Sequence, residues 1–146
     1  MDNIEVDILL IEDNANDAEL AMRALQKDHV AKRIIHLKDG EAALDFLFGR
    51  GKYKGRNTDN KPKVILLDLK MPKVSGLEVL EQLTLNELTQ KIPVVVLTSS
   101  KEHPDVEKAY KLGANSYIVK PVDFESFRKV VNELGIYWLQ LNQPAF

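Results

Sequence analysis

"KVILLDLKMPKVSGLEVL" (Lys63 to Leu80) decides the fold. Val64 to Leu67 and then Leu69 are apolar, and a single carboxylate, Asp68, interrupts them. Pro72 and Gly76 follow within eight residues. A short apolar run bounded by turn residues reads as a strand covered on both faces, and Gly76, Val79, Leu80 and Leu83 then share one helical face. Ending such a strand on an acid is costly, because a buried charge is unfavourable unless paired. The partners of Asp68 must come from elsewhere in the chain.

The same alternation runs along the whole sequence. DILLIE (Asp7 to Glu12) is a first strand, and beyond DNAND the residues Ala18, Ala21, Met22 and Leu25 recur at helical spacing. RIIHL is a second strand, followed by the helical GEAALDFLF. PVVVLT is a fourth strand, after which Pro104 opens a helix and Gly113 caps it. NSYIV is the fifth strand. Phe127, Val130, Val131, Leu134, Trp138 and Leu141 continue one helical face, with Gly135 as a potential break. Strands that are apolar throughout need cover on both faces. The expectation is one α/β domain, a doubly wound five-stranded parallel sheet with helices on both faces and the third and fourth strands central. No domain boundary is visible within residues 1–146.

Composition narrows the function. The 146 residues suffice for one proper core. A net charge of −2 gives no general attraction to nucleic acid or to an anionic membrane, so neither is an expected partner. There is no cysteine, which excludes disulfides, thiolate chemistry and cysteine-bound metal. No apolar run approaches the roughly 18 residues of a membrane helix, and the acidic start MDNIEVD is unlike a signal peptide. A cytoplasmic protein is expected.

GRGKYKGRNTDNKP (Gly49 to Pro62) departs from the short-loop pattern. Arg50, Lys52, Lys54, Arg56 and Lys61 face only Asp59 in charge. A solvated flap is the first expectation for it and a partner-docking loop the second. No aromatic platform accompanies the charges to suggest nucleic acid.

In a doubly wound sheet, ligands bind beyond the carboxyl ends of the strands. The first strand ends in Glu12-Asp13, the third in Asp68, the fourth in Thr98 and the fifth in Lys120-Pro121. Three carboxylates gathered there repel one another, each pair by about 4 kcal/mol at ~4 Å and an effective dielectric near 20. A cation must offset that, and hard oxygen ligands without Cys or a nearby His favour Mg²⁺. Asp68 is then a plausible nucleophile, since carboxylates form aspartyl-phosphate intermediates. Lys120 and Thr98 would offer a charge and a hydroxyl to the phosphoryl oxygens. Taken singly, each residue has an ordinary structural role: Asp13, Asn14 or Asn16 as a helix cap, Asp68 in a turn, Lys120 on the surface before a proline. DNAND fails as a calcium loop, because Ala15 and Ala18 occupy a ligand position and the glycine position. Four strand ends in this order make coincidence a poor account.

These residues resemble the receiver domain of two-component response regulators over roughly Asp7 to Leu134. DLKMPKVSG is similar to the family's D-x-x-M-P-x-x-x-G stretch. The intervals of 30 residues from Asp68 to Thr98 and 22 from Thr98 to Lys120 are also the family's. The resemblance implies a flavodoxin-like strand order 2-1-3-4-5, with a domain core of about 7–134 and an extension at 135–146. It implies that Asp68 is the phosphoacceptor, that Asp13, Asp68 and the main-chain carbonyl of Lys70 ligate Mg²⁺, and that Glu12 acts through water. It further implies loop-shaping roles for Pro72 and Gly76, a cis Lys120–Pro121 bond, and Thr98 with Tyr117 as the switch pair, Tyr117 rotating inward on phosphorylation. The chain would catalyse only its own phosphorylation and dephosphorylation.

The basic insertion, the tail GIYWLQLNQPAF and the lack of an output segment resemble the stand-alone regulators of cyanobacterial phytochrome-type histidine kinases. A histidine kinase is therefore the expected partner. Ile136, Trp138, Leu139 and Leu141 are expected either to extend the last helix over the domain's own surface or to form part of a homodimer contact. Two other classes compete. A phospho-independent interaction module with a vestigial site would not need all five positions intact. A phosphohydrolase of the haloacid-dehalogenase type wants a second acid where Lys70 stands.

Overall fold

The computed structural model describes residues 5–27 and 30–146, so the first four residues of the acidic MDNIEVD stretch lie outside the described residues. Strands β1 (Ile8–Ile11), β2 (Ile34–Leu37), β3 (Val64–Leu67), β4 (Val94–Thr98) and β5 (Ser116–Val119) alternate with five helices. These are α1 (Ala15–Gln26), α2 (Gly40–Phe48), α3 (Gly76–Leu85), α4 (His103–Lys111) and α5 (Phe124–Ile136). The strands are parallel in the order β2-β1-β3-β4-β5, as expected.

Strand period explains the two layers. Leu9, Ile11, Ile65, Leu67, Val94 and Val96 point to one face, against α2, α3 and Ala109 of α4. Ile8, Leu10, Val64, Leu66, Val95 and Leu97 point to the other, against α1 and α5. Four helices start on side-chain caps, where Asn14, Asp39, Ser75 and Asp123 accept from the backbone N–H three residues on. Asn14 therefore takes the capping role and leaves Asp13 free of it. Among the charged residues Asp7 is also buried. One of its carboxylate oxygens accepts from the Lys32 and Arg33 N–H groups at 2.8 and 3.1 Å, tying the start of β1 to the approach to β2.

Gly135 does not break the last helix. A Cβ there would meet Val30 Cγ1 at 2.7 Å and Leu25 Cδ2 at 2.8 Å, so the glycine lets α5 approach the end of α1 and the segment beyond it closely. The chain continues into a π-helical turn, Tyr137–Leu141, whose Trp138 and Leu139 pack on the α1–α5 core layer. Leu141 remains exposed. The tail thus covers the domain's own surface with part of its apolar content.

The basic segment 49–62 is folded rather than an open flap. Gly51–Tyr53 forms a 3₁₀ turn, and Tyr53 stacks edge-on to Phe46 with ring centres 5.2 Å apart. Arg56 lies 3.9 Å over the Phe46 ring and donates to the carbonyls of Phe46 (3.0 Å) and Asn60 (2.6 Å). Arg50 pairs with Asp45 and sits over Phe48. Two of the charges that suggested a solvated loop, Arg50 and Arg56, therefore act locally, as cation–π and polar anchors on α2.

Candidate functional site

Register gathers the site. Ile11 pairs with Leu67, so the next residues on β1 and β3 are Glu12 and Asp68, and the Asp68 N–H donates to the Ile11 carbonyl at 3.0 Å. Thr98 pairs with Val119, and the Lys120 N–H closes the β4–β5 ladder on the Thr98 carbonyl at 2.8 Å. Glu12, Asp68 and Lys120 are the first residues past β1, β3 and β5, and Thr98 is the last residue of β4.

Glu12 and Asp68 are only 3% and 7% exposed, whereas Asp13 is exposed. Carboxylate oxygens of these three residues lie within 4.8 Å of one another. Mg²⁺ takes hard oxygen ligands at about 2.0–2.1 Å, and this cluster offers it carboxylate oxygens from three residues. Lys120 Nζ lies 2.6 Å from Glu12 Oε1, 2.9 Å from Asp17 Oδ2 and 3.6 Å from Asp68 Oδ2. Burial, reinforced by the Asp68 carboxylate, pushes Glu12 up to about 7 against the opposing pull of Lys120. Burial works against the Lys120 charge, but hydrogen bonds to Glu12 and Asp17 outweigh it and hold the ammonium above its ordinary range.

The loop after β3 is shaped by backbone contact. The Gly76 N–H donates to the Leu69 carbonyl at 2.9 Å, and a Cβ on Gly76 would stand 2.2 Å from the Asp68 carbonyl oxygen. Only glycine allows α3 to start so close to the acid. Pro72 is exposed in this loop, and the next residue, Lys73, takes a left-handed φ of 64°. The Lys70 N–H faces Asp68 Oδ1 at 3.4 Å.

Thr98 and Tyr117 come from the neighbouring strands β4 and β5. The Thr98 hydroxyl is fully buried and has no hydrogen-bond partner among the described residues. Tyr117 is half-buried against the core layer that holds α2 and α3, its hydroxyl donating to the Ser100 carbonyl at 2.8 Å. Burial raises its phenol above the ordinary value. The Lys120–Pro121 bond is trans, contrary to the expectation of a cis bond, and no peptide among the described residues is cis. Trans is intrinsically favoured before proline by about 0.5–1 kcal/mol, and in this form Lys120 already reaches both Thr98 and Glu12.

Sequence reasoning missed the contacts of three residues. Asp17 binds Lys120 from the first turn of α1; its spacing after the acidic pair was the available signal. Ser100 links Tyr117 to α4, through its carbonyl to the phenol and through its hydroxyl to Asp105. His36, on the edge strand β2, meets the Glu12 carbonyl at 2.8 Å through Nε2. Beside the cluster, Asp17, Leu20, Ser99, Lys120, Pro121 and Phe124 help to line a hollow of about 300 Å³.

The sequence pattern of the response regulator receiver domain matches residues 8–132. The chain belongs to the response regulator receiver family. Phosphorylation-dependent signalling is the function of that family. The receiver is 44% identical over 139 residues to the probable methanogenesis regulatory protein FilR2 of Methanothrix harundinacea, covering 93% of this chain and 85% of that one. It is 38% identical over 133 residues to the response regulator Rcp1 of Synechocystis, covering 91% and 88%. The Mn²⁺-bound crystal structure of Rcp1 superposes with a TM-score of 0.89 at 35% identity, covering 97% of this chain and 99% of that one. The phosphorylated cyanobacterial phytochrome response regulator RcpA superposes with a TM-score of 0.90 at 31% identity, covering 98% and 100%.

Proposed function

We propose that Asp68 accepts a phosphoryl group from a phytochrome-type histidine kinase and that the chain signals by the resulting change in its protein-interaction surface. The observation that carries this is the placement of Asp68, a nearly buried carboxylate with a lysine ammonium 3.6 Å away and two further acids beside it. The kinase class is supported by the likeness to Rcp1 and RcpA along almost the whole chain.

Glu12, Asp13, Asp68 and the Lys70 main-chain carbonyl are the groups that would hold Mg²⁺. When bound, the ion supplies charge neutralisation for the phosphoryl oxygens. Asp68 provides the attacking oxygen. Lys120 provides the positive charge that follows the phosphoryl oxygens, with its ammonium held in place by the surrounding acids. Thr98, with a buried and unpartnered hydroxyl, is the donor available to a phosphoryl oxygen, and its shift would be read by Tyr117 and Ser100 at the edge of α4. The chain acts on no external substrate beyond its own phosphorylation and dephosphorylation. Among the described residues no helix is long and apolar enough to cross a membrane, which is compatible with a cytoplasmic site of action.

The test is phosphorylation of the purified protein by acetyl phosphate in Mg²⁺. One phosphoryl group per chain, labile to hydroxylamine and alkali and lost in Asp68→Asn, is the expected result. Label that persists in Asp68→Asn would overturn the assignment. Phosphotransfer from a panel of histidine kinases, phytochrome-type and others, tests the partner.

A further inference from the structure

We propose that Asp17 is a positioning residue that holds the Lys120 ammonium towards α1 and must release it before Lys120 can follow a phosphoryl group onto Asp68. This rests on the phosphoacceptor role of Asp68 and adds one residue to it.

A lysine ammonium has three N–H donors and no acceptor. Three carboxylates surround that of Lys120: Glu12 at 2.6 Å, Asp17 at 2.9 Å and Asp68 at 3.6 Å. Lys120 is thus nearer to Asp17 than to the acceptor it serves. Asp17 does not share the oxygen cluster formed by Glu12, Asp13 and Asp68. Its side chain is 32% exposed against 4% and 8% for Glu12 and Asp68, so it is the partner that water can most cheaply replace. Its place is fixed by the backbone, because the Asp17 N–H is held by the Asn14 side chain at 3.0 Å in the cap of α1. Asp17 also stands in the first turn of α1, where an acid is favoured independently of Lys120.

During transfer the Asp68 oxygen–phosphorus bond forms as the donor's phosphorus–oxygen bond breaks, and the bonding pair leaves on the donor. Charge on the phosphoryl oxygens then calls for an N–H of Lys120 that Asp17 holds beforehand. The Asp17–Lys120 contact therefore stabilises the unphosphorylated state selectively and slows the forward step. In hydrolysis water attacks phosphorus, the Asp68 oxygen–phosphorus bond breaks and phosphate departs. Lys120 is on the phosphoryl group both before and during that step, so Asp17 has little part in it.

The experiment compares wild type, Asp17→Asn, Asp17→Ala and Glu19→Gln. The last removes the same charge from α1 but only breaks the surface pair with Arg23. With acetyl phosphate and Mg²⁺, both Asp17 variants should be phosphorylated 3- to 10-fold faster, while hydrolysis of the aspartyl phosphate changes less than twofold and Glu19→Gln matches wild type. In metal-free, ¹⁵N-lysine-labelled protein the Lys120 ammonium signal should shift in both Asp17 variants and stay in place in Glu19→Gln. Forward rates equal to or below wild type in both Asp17 variants, with folded spectra, would overturn the proposal. So would a Lys120 signal that does not move. A wild-type protein that accepts no phosphoryl group would instead refute the acceptor role of Asp68, and the lysine signal would still report on Asp17.

Discussion

Lys120 and Glu12 form a nearly water-free ion pair, Nζ to Oε1 at 2.6 Å, with side chains 10% and 4% exposed. Withdrawing both charges from water offsets much of their attraction. Their contact does not keep Glu12 ionised through the acidic range, because burial and Asp68 push it up to about 7. The Lys120 ammonium is better placed, with Asp17 as an additional partner.

A pH dependence follows from that Glu12 shift, from 4.5 to about 7. The folded state binds the Glu12 proton more tightly than the unfolded chain does. The stability this contributes is complete below pH 4.5 and is lost as pH rises through about 7. Denaturant melts of metal-free protein should weaken over that window by an amount on the order of 1–3 kcal/mol, and the weakening should shrink in Glu12→Gln. Metal ligands must be deprotonated, so Mg²⁺ affinity should climb over the same window.

The strand ends were legible because strong apolar runs stop abruptly at polar residues, so Glu12, Asp68, Thr98 and Lys120 announce themselves. The residues that complete the site were not. Asp17 sits on a helix, where an acid in the first turn already has a sufficient local role, and its reach to Lys120 depends on how α1 packs. Ser100 acts partly through its carbonyl, which every residue possesses. Gly135 reads as a helix breaker by propensity, but its missing side chain is used for close packing against Leu25 and Val30. Arg56 reads as one charge in a basic loop, and only its stack on Phe46 shows it to be an anchor.

Gly76→Ala should be severe for a reason local to the phosphoacceptor. The new Cβ would meet the Asp68 carbonyl oxygen at 2.2 Å and Leu69 Cα at 2.6 Å, and backbone cannot yield as a side chain can. A loss of about 2–3 kcal/mol or more is expected, in the upper range for overpacking. Because the displaced atoms belong to Asp68 itself, acetyl phosphate labelling of the surviving folded protein should fall as well. Parallel denaturant melts and labelling check both.

Arg56 should prove structural. Arg56→Ala removes the hydrogen bonds that Arg56 gives the Phe46 and Asn60 carbonyls and uncovers the Phe46 ring. A loss of about 2–3 kcal/mol is expected from two hydrogen bonds and one cation–π contact. Arg56→Lys should recover little, since an ammonium cannot reproduce the planar fork. Limited proteolysis should open the 49–62 segment in both variants before the rest of the domain, while phosphorylation of Asp68 stays close to wild type.

Thr98 offers a separation of stability from signalling. Its hydroxyl is buried without a partner, and an unsatisfied buried hydroxyl costs about 1–3 kcal/mol. Replacing it with a methyl of similar shape, Thr98→Val, should therefore leave the fold as stable as wild type or raise it by about 1 kcal/mol, seen as a higher denaturant midpoint. The same change removes the donor available to a phosphoryl oxygen. Asp68 should still be labelled by acetyl phosphate, yet the chemical-shift response of Tyr117 and Ser100 to phosphorylation should be largely lost. Tyr117→Phe makes the complementary case: it gives up the 2.8 Å bond to the Ser100 carbonyl at a cost of about 1 kcal/mol and leaves Thr98 untouched. If Thr98→Val destabilised the protein and left the Tyr117 response intact, the hydroxyl would be a structural group and the switch would lie elsewhere.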